Sequence, residues 1–374
     1  MSMLPIKQTP LLVFFNLLLL IAMFLLMRTA LIKPYKVPLL HKKWSIFLMF
    51  VFVLFAFWGS DWFHYLEVYP SLLYDDQSHI EAVYSWIAQN LSFGYISFRF
   101  IIWGSSLIVL FAIIKHLPIS RDLCLLMFCS IWIIWFAYAR ASLAMVLLYW
   151  GVTILVTQYK QRLFPILLGL VIIGCSLFFH KSVGFGVIIS LIVLFSLFLK
   201  PRFFLFIAVV SIPFLLIIVR EYISEFLLME VSEETLMNNT LRGQYYFGAD
   251  KRSMGIGELL ACILEFAPYY LISFQCFKIL KNVRYVVPQC IQFFIRYELL
   301  GVFLASIFFF DLGFGDTMTL AVRFLRFMAV PSTILLAFFW EKEYFPKISK
   351  YTYRIGFVGL IYCVSYSLYC SLWG

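Results

Sequence analysis

Long apolar runs alternate with short polar clusters along the whole chain, and the length of the runs decides the fold class. A helix rises 1.5 Å per residue, so about twenty apolar residues carry it across the roughly 30 Å hydrocarbon core of a bilayer. Runs near that length fall at 11–31, 44–58, 95–114, 123–138, 141–157, 163–179, 183–199, 203–219, 257–277, 289–310, 320–340 and 355–373, which predicts about twelve transmembrane helices. Several are short, which leaves room for a re-entrant hairpin. Backbone polar groups in lipid need partners within a helix or a closed barrel, and these runs are too long and too continuously apolar for barrel strands. The fold class is therefore an all-α polytopic membrane protein, with 1–374 as one integral membrane domain.

Composition agrees. At 64% hydrophobic and 13% charged, with a mean hydropathy of +0.96, the chain has too little polar surface for a water-soluble domain of this length. The first run, Leu11 to Met27, has no small-residue cleavage site behind it and reads as a retained helix. The eight cysteines lie mostly inside the runs, with no C-x-x-C pair and no Cys/His cluster, so they read as packing residues.

Charge placement orients the runs. Alternate loops hold Lys33, Lys36, Lys42 and Lys43; Lys115 and Arg121; Lys160 and Arg162; Lys200 and Arg202; Lys278, Lys281 and Arg284; and Lys342, Lys347, Lys350 and Arg354. Basic loops stay in the cytoplasm, so both termini and the two long segments 59–94 and 220–256 are expected on the opposite, outward side, which is the periplasmic one if the membrane is a bacterial inner membrane. The net charge of +10 is thus a matter of topology, and no nucleic-acid partner is expected. Segment 59–94 is acidic and aromatic, with Asp61, Tyr65 and Glu67. Segment 220–256 is mixed, with Arg242 and Tyr245. Rings stack on the apolar faces of sugars and carboxylates accept from their hydroxyls, although an aromatic belt at the headgroups has the same composition.

Cations on the outward side run against the usual charge bias. Arg140 and His180 are separated by two crossings, 141–157 and 163–179, joined by the turn Tyr159-Lys160-Gln161-Arg162, so both return to one face. Lys181 follows His180. Arg323 and Arg326 are three residues apart, on one face of a helix. Guanidinium forks suit a diphosphate, and pairing with Asp311, Asp316 or a phospholipid phosphate is the competing reading. Arg296 and Glu298 fall inside one run and are expected to pair with each other. Asp75 and Asp76 are adjacent without further ligands, so no metal and no cofactor is expected.

Four of these stretches resemble the EpsG/Wzy group of bacterial polysaccharide polymerases. Gly59-Ser60-Asp61-Trp62-Phe63-His64-Tyr65 is similar to its G-[ST]-D-[YW]-x-x-Y. Arg140-Ala141-Ser142-Leu143-Ala144 is similar to R-Q-x-[LI]-A, with alanine in place of glutamine. Phe179-His180-Lys181-Ser182 matches its H-K-S turn. Arg323-Phe324-Leu325-Arg326-Phe327 is similar to R-[LIF]-x-x-Y-F, without the tyrosine.

The resemblance implies a GT-C-like glycosyltransferase architecture in the bacterial inner membrane. The implied reaction transfers a growing glycan from undecaprenyl diphosphate to a fresh lipid-linked oligosaccharide, so that substrate is donor and acceptor. A separate chain-length regulator is a candidate partner beside the bilayer itself. His180, Asp61 and Arg140 are the catalytic candidates. His180 is a base or a diphosphate ligand, with Asp61 or Glu67 as competing base. Arg323, Arg326, Lys181, Tyr65, Glu67, Arg242 and Tyr245 are the substrate-binding candidates. A lipid-linked oligosaccharide flippase, an O-antigen ligase and a membrane O-acyltransferase are the alternatives.

Overall fold

The computed structural model describes residues 69–74, 82–133, 139–158, 163–180, 183–200, 203–204, 256–282, 284–309 and 325–373, with isolated positions before residue 48. The described regular structure is all helical. The elements are α1 (Ala82–Asn90), α2 (Tyr95–His116), α3 (Arg121–Met127, continued by a π-helical turn Phe128–Trp132), α4 (Ala139–Gln158), α5 (Leu163–Phe179), α6 (Val183–Ser196), α7 (Ile256–Lys281), α8 (Gln289–Phe309), α9 (Ala329–Glu341) and α10 (Pro346–Trp373). Within α2, α4 and α7, the stretches Tyr95–His116, Ala141–Gln158 and Ile263–Lys281 are long and apolar enough to cross a membrane, and α5, α6 and α9 are shorter apolar helices. The expected crossings at 11–31, 44–58 and 203–219 lie wholly or mostly outside the described residues, as do the segment 220–256 and the N-terminus.

The helix α9 is the centre of the bundle, with every residue from Ala329 to Trp340 buried. A helix apolar all round needs neighbours all round. It has α8, α10, α7 and α3 against it. On one flank α4 packs between α2 and α5; on the other α7 pairs with α10. Glycines set the closest approaches. A Cβ on Gly151 of α4 would lie 2.6 Å from the carbonyl oxygen of Gly169 in α5, and one on Gly169 would lie 2.9 Å from that of Gly151. In α10, Gly359 faces the Leu264 carbonyl of α7, while Gly356 takes Ile131 of the π turn. Small residues at helix crossings are how helices associate in lipid, where apolar burial alone gives no preference for protein over acyl chain. The outer face of α5 leaves Leu163, Phe164, Leu167, Val171 and Phe178 exposed, an apolar surface that a bilayer would cover.

The basic loops gather at one end. The backbone N–H of Ser120, between α2 and α3, donates to Glu341 at the end of α9 at 2.7 Å. Tyr344, between α9 and α10, donates to the Val286 carbonyl between α7 and α8 at 3.2 Å. Lys115, Arg121, Lys278, Lys281, Arg284, Lys342 and Lys347 lie in or beside these three connections.

Several boundaries differ from the sequence reading, three of them in ways that matter for the site. The run at 320–340 is not one described helix: 325–327 forms a short helical piece, Met328 a turn, and α9 begins at Ala329. The last helix begins at Pro346, nine residues before the expected 355, because Lys347, Lys350 and Arg354 ride on it as snorkelling side chains. The segment 59–94, expected as an outward loop, holds helical structure at 69–73 and in α1.

Candidate functional site

The end of α5 is held by α1. Tyr84 of α1 is fully buried, and its hydroxyl donates to the Phe179 carbonyl at 2.9 Å, with the two rings edge to face at 6.2 Å between centroids. Carbonyls in the last turn of a helix have no intrahelical partner, and this one is satisfied from a different element. The next residue is His180, partly exposed. Its N–H donates to the Ser176 carbonyl at 3.3 Å, and its own carbonyl accepts from the Val183 N–H at 3.1 Å, which turns the chain directly into α6.

Four residues after α1 the chain enters α2, which runs for 22 residues, roughly 33 Å, to Lys115 and His116 at the basic end. His180 therefore sits at the opposite end of the bundle from the basic loops. Arg140 joins it there. Gly151 and Gly169 mark where the antiparallel helices α4 and α5 touch. Arg140 lies eleven residues before the first, and His180 eleven after the second. Equal rises of roughly 16 Å bring the Arg140 backbone and His180 to the same height.

Arg326 is deeper. The Tyr149 hydroxyl of α4 donates to the Phe327 carbonyl, and Tyr149 lies nine residues along α4 from Arg140. The Phe327 backbone is thus roughly one to two helical turns below Arg140. The Arg326 side chain is 22% exposed, and its Nε lies 3.5 Å from Oε1 of Glu265, on α7. The partner beside Arg326 is thus Glu265, where the sequence suggested Asp311, Asp316 or a phospholipid phosphate. Arg323, Asp311 and Asp316 lie outside the described residues, as do Asp61, Tyr65, Glu67, Lys181, Arg242 and Tyr245; of Arg140 the described part is its backbone in the first turn of α4.

The expected Arg296–Glu298 pair is not formed. Residues two apart on a helix point to nearly opposite sides. Arg296 donates to the Ser196 carbonyl, to Ser196 Oγ at 3.1 Å and to the Leu199 carbonyl at 3.1 Å, with its guanidinium over the Phe204 ring. It caps the carbonyl end of α6. Glu298, fully buried, accepts from the Ser332 hydroxyl of α9 at 2.7 Å. Arg99 is also buried, 4.5 Å over the Trp103 ring one turn along α2. Cys124, Cys129, Cys276 and Cys290 are buried free thiols.

Sequence reasoning passed over Tyr84, Tyr149 and Glu265. Tyr84 and Tyr149 give no signal in an aromatic-rich chain. Glu265 did give one: a carboxylate well inside an apolar run is costly unless another helix engages it.

Comparison with known proteins adds to this geometry. No curated protein and no solved structure matches the chain. A family model, the EpsG family, matches residues 39–373. That span takes in every helix from α1 to α10, and the chain belongs to the EpsG family.

Proposed function

We propose that this protein is a polysaccharide polymerase that joins undecaprenyl-diphosphate-linked oligosaccharide repeats at the periplasmic face of the bacterial inner membrane. Membership of the EpsG family ties it to exopolysaccharide biosynthesis. Its apolar helices are those of a multi-pass membrane protein. The observation that carries the finer reading is the register between α4 and α5, which gives the Arg140 backbone and His180 one height at the end away from the basic loops. With those loops cytoplasmic, that end faces outward.

In the reaction, a hydroxyl of the fresh lipid-linked unit attacks the anomeric carbon of the growing chain. The bond from that carbon to the diphosphate oxygen breaks, and undecaprenyl diphosphate leaves with the bonding electrons. Arg140 and Arg323 neutralise the charge that develops on the leaving group, an interaction stronger in the transition state than in the ground state. The proton of the attacking hydroxyl passes to His180, with Asp61 as the competing base. Lys181 lies beside the head group, and Tyr65, Glu67, Arg242 and Tyr245 contact the sugars.

A flippase would need polar side chains lining a path through the bilayer. The described intramembrane charges Arg99, Arg296, Glu265, Glu298 and Arg326 instead engage neighbours within the bundle, which favours an enzyme. The His180→Ala variant tests the reading. It should abolish long chains in cells while single-repeat products persist. A normal polymer ladder from that variant would remove His180 from the mechanism.

A further inference from the structure

We propose that, whatever chemistry the opposite end performs, the exposed face of α10 at the basic end of the bundle docks an anionic phospholipid, whose phosphate is held by Lys347, Lys350 and Arg354.

Three cations and two apolar side chains share that face. Positions 347, 351, 354 and 358 recur at helical spacing with 350 beside them, and Lys347, Lys350, Tyr351, Arg354 and Val358 are all exposed. The opposite face, with Ser349, Thr352, Tyr353 and Phe357, is buried in the bundle. Helix α7 fixes how far in the stripe reaches. Ser349 donates to Oε1 of Gln275 at 2.9 Å. Further along, a Cβ on Gly356 would lie 3.3 Å from Pro268, and one on Gly359 2.9 Å from the Leu264 carbonyl oxygen. That antiparallel register puts the Arg354 backbone level with Tyr270, within the apolar span Ile263–Lys281. Side chains lean toward the N-terminus of their own helix, which for α10 is the basic end. Residues three and four apart are neighbours on a helix, so Lys347, Lys350 and Arg354 can close on one group.

A cation rooted in apolar surroundings needs a counter-charge, and the described residues do not supply one. Among them, none of these three cations is in an ion pair. The basic connections carry three carboxylates, Asp122, Glu341 and Glu343, against all their lysines and arginines. Glu341 is already the acceptor for the Ser120 N–H. On α7 the cation Lys278 differs from the stripe, since it lies 4.4 Å over the Phe274 ring and 5.7 Å over the Phe345 ring. A lipid phosphate brings the missing charge from the leaflet at that end, and its acyl chains run along Tyr351 and Val358, which are 58% and 51% exposed. A zwitterionic lipid brings no net charge, so the face selects by charge.

The test uses the full-length protein in neutral detergent with added dioleoyl phosphatidylglycerol or dioleoyl phosphatidylcholine, read by native mass spectrometry and thermal unfolding. Phosphatidylglycerol should bind and raise Tm as its concentration rises, and phosphatidylcholine should do neither. Neutralising one cation should weaken phosphatidylglycerol binding about fivefold, and Lys347→Gln, Lys350→Gln and Arg354→Gln together about a hundredfold. The pair Lys115→Gln with Arg121→Gln, on another basic connection, should leave binding within about twofold. Should the triple variant not fold, Lys350→Gln and Arg354→Gln as single variants carry the test.

Unchanged phosphatidylglycerol binding in the triple variant, or in both single variants, overturns the proposal. Equal binding of phosphatidylcholine overturns it, because apolar contact alone then holds the lipid. An equal loss in the Lys115 and Arg121 variant does the same, since the whole basic end then attracts lipid diffusely. An equal rise in Tm with inorganic phosphate makes the face an anion site and not a lipid site. A dimer that forms without bound lipid and is lost in the triple variant makes it an interface between copies, which also overturns the assignment.

Discussion

One phenol oxygen couples α1 to the His180 turn. Tyr84 reaches the Phe179 carbonyl from α1, and nothing but that oxygen distinguishes it from phenylalanine. Tyr84→Phe should cost about 1 kcal/mol in stability, the net worth of one hydrogen bond. If the bond orients His180, the variant also lowers kcat at unchanged KM, and adds nothing further in a His180→Ala background. An equal extra loss in that background would mean that Tyr84 acts elsewhere. The residue scale is also where the sequence misled. Arg296 and Glu298 are neighbours in the chain, yet their partners, Ser196 and Ser332, are 100 and 34 residues away. Nothing in the local pattern reveals which remote helix a side chain will meet. Arg140 and His180 could be placed on one side because two crossings between them are a matter of counting, not of contacts.

At the scale of elements, apolar runs among the described residues translate into helices with the bounds that flanking charges suggest. The helix α5 spans 163–179 as expected, since Arg162 and His180 bound it in the sequence. The break before α9 was hidden, because from Phe327 to Trp340 the sequence stays apolar through a turn whose Phe327 carbonyl is taken by Tyr149. The amphipathic helix α1 was hidden as well: nine residues are too few to stand out as a crossing in a segment read as a loop. The α4–α5 register depends on two glycines in mutual backbone contact, and this gives a sharp expectation. Gly151→Leu should push the helices apart and destabilise the protein by about 1–3 kcal/mol or more, as overpacking does. Thermal unfolding in detergent measures it. A chain-growth defect should accompany it, because the same contact levels Arg140 with His180. Wild-type stability in that variant would mean that the helices do not meet at Gly151.

For the whole molecule, the governing feature is polarity from end to end. Lysines and arginines collect where α2, α7 and α9 finish, and His180 lies across the bundle from them. Charge bias in the loops made this division legible in the sequence, since it needs only alternation of runs and loops. How deep each of these cations sits was not legible: the backbone beside Arg326 lies below the level of the Arg140 backbone, at the height where Tyr149 of α4 reaches the Phe327 carbonyl. The proposed division of labour follows from that polarity: substrate anchored by its lipid in the membrane, diphosphate at the outward end, glycan growing away from the cytoplasm. The most direct measurement is reconstitution of the purified protein with one defined undecaprenyl-diphosphate-linked repeat and no other enzyme, read by mass. The account predicts a ladder rising by whole repeats, with one undecaprenyl diphosphate released for each bond formed. Movement of the repeat between leaflets without any gain in mass, or transfer to a lipid other than the carrier, would contradict it.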